Sequence, residues 1–302
     1  MKTTKKGVAL LLMAALLLCL SACGLSDIPL IKAALELSQF DSFRAEPELD
    51  FAVQVQVPDY DMALDLNAAA EGRIDLVKDP TRLMADLHFQ LVEGEEQHLL
   101  AYAERGTEAT DIWYSLDEGA TWEHTTLEKS EDSDAETEDA SSSLSLSGVM
   151  NFGKSLGDSF QDFVKVGTED VKASPADRYD ASLSMKAIAA DPEARASFYA
   201  DLAESLHRDA ADVEALIDLD NLENVPLSLW LDQESGRLVK AEMDLGPFLD
   251  SFLGSGLINS LVAEQLGLED FDMEIDVAQT RLSVTLSQFN ELDPADFTPP
   301  AA

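Results

Sequence analysis

Cysteine is almost missing from this chain. Only Cys19 and Cys23 occur in 302 residues, both near the start. Everything after them is therefore neither a disulfide framework nor a user of thiolate chemistry. It must hold itself together by core burial, and it is long enough to do so as one large domain or two intimately packed ones. Basic residues are also scarce: 20 Lys and Arg stand against 59 Asp and Glu, a net charge of −39. Such a field excludes nucleic acid and anionic lipid headgroups as partners through broad surface contact. It favours solubility, or loose attraction for cations and basic proteins. Long apolar runs are lacking too. The stretch from Val8 to Leu20 is about 13 residues, short of the roughly 20 that a membrane-spanning helix needs.

Catalytic signatures are equally sparse. There is no Gly-x-Ser-x-Gly elbow, no phosphate loop and no His-Glu-x-x-His. Gly153-Lys154-Ser155 resembles the end of a phosphate loop but lacks the upstream glycine at the required spacing. The histidines His88, His98, His124 and His207 are scattered, none at ligand spacing from a second one or from a suitable acid. Asp132, Asp134 and Glu136 alternate as in a calcium loop without its central glycine and distal glutamate, and Asp218, Asp220 and Glu223 fail likewise. Carboxylates are so abundant that any pair could pass for an acid–base dyad. The expectation is a protein that is not an enzyme, with no cofactor and no metal.

What is present begins at the N-terminus. Lys2, Lys5 and Lys6 precede the apolar run, which ends in Leu20-Ser21-Ala22-Cys23. Basic segment, apolar segment and small-residue cleavage site, in that order, are the plan of a secretory signal. The last four residues resemble the bacterial lipobox. That resemblance implies cleavage after Ala22 and acylation of Cys23, with palmitate-type chains as the membrane anchor. The signal would be 1–22 and the mature protein 23–302. It would lie at the outer face of the cell membrane, or in the periplasm or at the outer membrane of a double-membrane envelope.

Along the mature chain the hydrophobic period sets the expected elements. Ile28, Ile31, Leu35 and Phe40 predict a first helix over Asp27–Phe43, capped by Ser26 or Asp27. From Leu49 the period becomes two: Leu49, Phe51, Val53, Val55 and Val57, then Met62 to Leu76 with Leu64, Leu66, Ala68, Ala70, Gly72 and Ile74 on one face, then Leu83 to Leu91. Fifteen extended residues span about 50 Å, so the second strand should bend near its small residues, Ala68 to Gly72. Shorter strands are expected near His98–Glu104, Asp111–Leu116 and Thr121–Thr126, forming an antiparallel meander with one wet face. The acidic, serine-rich stretch at about 128–143 has almost nothing to bury and reads as a disordered surface loop. A helix is predicted over Leu146–Val166, a short strand at Asp180–Met185, and a helix from Asp191-Pro192-Glu193 to about Leu219 with a break near Arg208-Asp209. A hairpin across Asp232–Gly236 follows, then helix from Pro247 to Leu266, interrupted at Gly254 and Gly256. The last strand changes parity near Ala278–Thr280, which implies a bulge or a turn. The fold class is α+β: a large, curved, mostly antiparallel sheet with helices packed on its apolar face.

Several phrases line up in order: Asp111-Ile112-Trp113-Tyr114-Ser115 with Asp117-Glu118-Gly119-Ala120-Thr121-Trp122, then Arg178-Tyr179-Asp180-Ala181-Ser182-Leu183, then Leu227–Leu231 with Asp232-Gln233-Glu234-Ser235-Gly236-Arg237-Leu238, and finally Asp296-Phe297-Thr298-Pro299. With the long alternating strands, they resemble the lipoproteins grouped around the LolA carrier and the mycobacterial LppX and LprG proteins. The resemblance spans nearly all of 23–302 as a single domain, except the acidic insert. It implies a half-barrel sheet wrapped over helices with an apolar cavity between them, where relatives hold acyl chains or lipoproteins. It transfers no carrier residue.

The candidate cavity lining is Leu64, Leu66, Ala68, Ala70, Leu87 and Phe89 from the strands, with Phe248, Phe252 and Leu257 from the glycine-broken helix region. Two readings follow. One is a carrier of a hydrophobic, acyl-chain ligand held at a membrane by its anchor. The other is an envelope interaction protein with a filled core and no small-molecule ligand. Trp113, Tyr114 and Trp122 fit a ligand-gripping edge or, better, cross-strand aromatic packing that stiffens a hairpin.

Overall fold

Apolar side chains at every second position, repeated over run after run, leave the chain one economical solution: pair the runs edge to edge and cover one face. The computed structural model describes residues 40–58, 62–91, 96–128, 159–206, 208–266 and 273–300. Its strands are β1 (Ser42–Val57), β2 (Met62–Lys78), β3 (Thr81–Leu91), β4 (Gln97–Arg105), β5 (Ala109–Ser115), β6 (Glu123–Glu128), β7 (Phe160–Val171), β8 (Ser174–Leu183), β9 (Val225–Asp232), β10 (Leu238–Asp244) and β11 (Glu274–Ser287). Helices α1 (Met185–Ala190), α2 (Pro192–Leu206) and α3 (Ala210–Leu216) lie between β8 and β9, and α4 (Gly246–Leu253) and α5 (Leu257–Leu266) between β10 and β11. The strands form one open, curved sheet in the order β6-β5-β4-β3-β2-β1-β11-β10-β9-β8-β7, antiparallel throughout. Two meanders, β1–β6 and β7–β10, are thus joined through β11, which pairs with β1 on one side and β10 on the other.

The main core lies where the helices meet the second meander. Leu227, Leu229, Ala241, Val284 and Leu286 point from β9, β10 and β11 at Ile188, Tyr199, Val213 and Leu257 of the helices, and Ala45 of β1 joins them. Tyr199 donates its hydroxyl to the Ile217 carbonyl at 2.8 Å, so its buried oxygen is satisfied. A smaller cluster sits on the opposite face, where Phe297 of the C-terminal segment packs on Val77 and Tyr102. Arg82 holds that segment in place by donating to the carbonyls of Pro294 and Phe297.

Several expectations are met closely. Asp191 caps α2 by accepting from the amides of Glu193 and Ala194, the helix ends before Arg208-Asp209, and Asp209 sits at the N-cap of α3. Pro247–Leu266 splits into α4 and α5 at Gly254 and Gly256. The parity change in β11 is a bulge: Ala52 faces Gln279 while Val53 faces Val277.

Three expectations need correction. The first helix was to run to Phe43, but β1 already starts at Ser42. Phe43, Ala45, Pro47 and Leu49 alternate with Arg44, Glu46 and Glu48, a period of two that Pro47 disguises. Pro47 fits because the β1–β2 ladder skips Glu46 and Pro47, opposite Gly72 and Arg73. The helix predicted over Leu146–Val166 is, from Phe160 on, strand β7. Its helical look came from the three-residue step between Phe160 and Phe163. A register shift with Asp162 at φ 61° produces that step within an extended chain. Finally, Met185 opens α1 instead of closing the preceding strand. The signal, Cys23, residues 27–39 of the first helix and all but the first residue of the acidic stretch lie outside the described residues. That first residue, Glu128, ends β6.

Candidate functional site

Strand β2 carries the apolar row at the centre of the first meander. Met62, Leu64, Leu66, Ala68, Ala70 and Gly72 share one face, by alternation along an extended chain. Register places Leu49, Phe51 and Val53 of β1 beside Ala70, Ala68 and Leu66. On the other side Leu91, Phe89 and Leu87 of β3 stand beside Ala68, Ala70 and Gly72. Cross-strand neighbours are about 5 Å apart, so three small residues in β2 lie between two rows of large ones. The result is an apolar trough running along the strand. Gly72 has no alternative here: a Cβ would stand 2.2 Å from the Asp86 carbonyl oxygen and 2.8 Å from the Leu87 Cα.

The exposure of this face is uneven. Met62 is 62% and Leu64 51% exposed, Leu66, Ala68, Ala70 and Leu87 are half-buried, and Phe89 is buried. Helix α4 stands over the neighbouring β11, tied by the Leu245 amide to the Thr280 carbonyl at 2.8 Å. Its sequence, Gly246-Pro247-Phe248-Leu249-Asp250-Ser251-Phe252-Leu253, is mostly apolar, yet none of its residues is fully buried. Phe248 and Phe252 stack at 5.7 Å and touch the main core only in part. Leu257, the first residue of α5, is wholly enclosed in that core. Of the nine sequence-predicted lining residues, six are thus neighbours on β2 and β3. Phe248 and Phe252 lie across β1 from them, and Leu257 is a core anchor. Asn259 of α5 keeps a buried side-chain oxygen without a hydrogen-bond donor.

The charges lie on the other face. Arg44 binds Asp75 through two contacts of 2.6 and 2.8 Å, and the hydrogen bonds to Asp75 raise the Arg44 pKa. Arg178 bridges Asp180 and Glu169, and Glu169 also accepts from the Trp230 indole. The Trp230 bond, then Arg178, lowers the Glu169 pKa. Trp113 is on this polar face as well, stacked on His124 at 4.5 Å and tilted against Tyr102 at 5.4 Å, so it packs across strands as favoured above but on Tyr102 and His124, its ladder partners, in place of Tyr114 and Trp122. A shallow groove of about 400 Å³ crosses the same face over Ala52 and Ala69, between Asp50, Asn67, Gln90 and Gln279.

The sequence reading missed one constellation. His88 and His98 are direct partners in the β3–β4 ladder, their rings stacked at 4.2 Å, with Asp86 beside both. The spacing of ten residues hides them until the hairpin register is fixed. Reading β3 and β4 as one hairpin with its centre at Glu93 would have paired them.

No protein-family model matches the chain, and neither does any curated protein. Among solved structures it is similar to lipoprotein LppX from Mycobacterium tuberculosis, at 11% identity and a TM-score of 0.39 over 88% of this chain and 94% of that one. LprF from Mycobacterium bovis is similar at 10% identity and 0.40, over 91% and 96%. An outer membrane lipoprotein-sorting protein domain from Vibrio parahaemolyticus stands at 10% and 0.19, over 88% and 95%. Superpositions this loose leave the chemistry of the site to its own residues.

Proposed function

We propose that this chain is an exported lipoprotein, held at a membrane face through an acylated Cys23, that carries a hydrophobic molecule with acyl chains between its sheet and its helices. One observation carries the reading: a half-covered apolar trough on β1–β3 beside a mostly apolar helix, α4, with no fully buried residue. A folded soluble protein rarely leaves a strand face and a neighbouring helix both short of burial without a use for the surface. An acyl chain suits the place, because it needs no hydrogen bonds and gains about 0.8 kcal/mol per buried methylene. Eight carbons would give about 6 kcal/mol before ordering costs. The trough contributes shape and the charges on the opposite face contribute solubility. No acid, base or nucleophile is needed.

The test is a titration with a fluorescent fatty acid, using protein made without residues 1–22, with Cys23→Ala, and stripped of lipid. Saturable binding is expected. Ala70→Leu fills the trough without adding polarity, and Leu64→Asp puts a charge on an already exposed position, so both should weaken binding several-fold at unchanged melting temperature. The intact mass of the full chain extracted from membranes should show acyl groups on Cys23. Absence of saturable binding, or binding that neither variant changes, would leave the filled-core interaction protein as the better reading.

A further inference from the structure

On the polar face of the sheet, away from the apolar trough, three side chains of the β3–β4 hairpin converge on one point. His98 Nε2 lies 2.8 Å from Asp86 Oδ1, and His88 Nε2 lies 3.5 Å from the same oxygen. One donor atom from each of the three residues falls within 4.8 Å of the other two. Two nitrogens bound to one tetrahedral zinc are about 3.3 Å apart, so shifts of about an ångström in half-exposed side chains would close the set. Strand geometry explains the meeting. His88 and His98 are opposed in register, and Asp86 is two residues from His88, hence on the same face.

The fourth group on His88 decides how the ring is presented. Its Nδ1 lies 2.9 Å from Glu96 Oε1. A carboxylate only accepts, so in the neutral ring Nδ1 is the nitrogen that keeps the proton, and Nε2, on the side of Asp86 and His98, is the one that can ligate. A carboxylate that fixes the far nitrogen of a histidine is the usual support of an imidazole metal ligand. Glu71 stands opposite His88 on the other side, in β2. Arg73, opposite Asp86 in register, turns its guanidinium towards Asp75 at 3.5 Å. We propose that Asp86, His88 and His98 form a binding site for a divalent transition-metal ion, with two imidazole nitrogens and one carboxylate oxygen as ligands, Glu96 orienting His88, and water completing the shell. Two imidazoles select zinc, copper(II) or nickel over magnesium and calcium, which prefer all-oxygen sets. On binding, the metal replaces the proton that His98 Nε2 shares with Asp86, and that proton moves to Nδ1 or to solvent. The bound ion would clamp β3 to β4 and leave a position open towards solvent. A site of this kind is independent of the apolar trough and of any ligand held there.

The experiment is a calorimetric zinc titration of the full chain in detergent with magnesium in large excess, so that magnesium occupies the diffuse acidic surface. One equivalent of zinc should bind with heat well above that background and should raise the melting temperature. His88→Gln and His98→Ala should each lower the affinity by at least ~10-fold, and Glu96→Gln should lower it by about 10-fold through loss of orientation. His88 is half-exposed, so His88→Gln should retain the fold even if His98→Ala does not. Cobalt(II) in place of zinc should give visible absorption in the wild type that His88→Gln removes. No saturable zinc binding over magnesium, or binding that His88→Gln leaves unchanged, would overturn the site and reduce the cluster to hydrogen-bonded surface residues.

Discussion

Asp117 lies at the tip between β5 and β6, where Glu118 at φ 57° and Gly119 at φ 84° turn the chain. Its carboxylate accepts from the Thr121 hydroxyl, the Thr121 amide and the Ser115 hydroxyl. These bonds favour the ionised form, the Thr121 hydroxyl most, and bring the carboxyl down to about 2 from 3.8. A depressed carboxyl stabilises the fold fully above its unfolded pKa and loses that contribution as the pH falls through its folded one. Asp117→Asn should therefore unfold at lower urea than the wild type near pH 5, and the gap should close as the pH falls from about 4 to about 2. A gap that is the same at both ends of that range would show that the turn does not depend on the charge. Gly72 is constrained for a different reason, steric clash, and a sequence gives only half of it. Its place in a run of small residues marks a bend. The clash it avoids is with the backbone of a strand that register alone brings near.

Helix α4 and helix α5 differ in how they are held, although they are close in sequence. Leu257 plugs α5 into the core, whereas α4 has no fully buried residue and ends against Gly254 and Gly256, the latter at φ 85°. Segments with few enclosed contacts open at lower cost. Amide hydrogen exchange over 246–253 should therefore run faster than over β9 and β10, and should slow when a fatty acid is added. Equal protection of α4 and β9, or no response to fatty acid, would make α4 an ordinary core helix. At this scale the sequence was most informative where a period persisted. The alternation in β1, β2, β3 and β9–β10, the proline start of α2 and the parity change in β11 could all be read directly. It misled where local geometry breaks a period, as in β7, where the extra residue near Asp162 imitates a helical step. The candidate site divides in the same way. The strand rows of the trough follow from parity, but the separation of Leu257 from Phe248 and Phe252 depends on packing. The His88–His98 pairing depends on which residues a hairpin sets opposite each other, and neither is written in spacing alone.

The molecule as a whole carries a net charge of −39 with 59 acidic residues. Among the described residues the ion pairs are mostly half-exposed, and pairs so open to solvent are individually weak, so the sum of repulsions matters more than any one of them. Ions screen such repulsion over about 10 Å at 0.1 M salt. Thermal melting should rise from low to moderate sodium chloride, and a flat or falling curve would show that the acids are too dispersed to oppose compaction. The order of strands has a different kind of consequence. Strand β1, the first described, is flanked by β11, the last, with pairs running from Arg44 and Ser287 to Gln56 and Glu274. Each meander can assemble from local contacts, but the seam between them needs residues at both ends of the chain, and such long-range closure is the slow step of folding. The sheet cannot be completed until its final strand has been synthesised. Until β11 is made, the first meander therefore presents β1 as an unpaired edge, with its row of amides and carbonyls open to whatever strand arrives first.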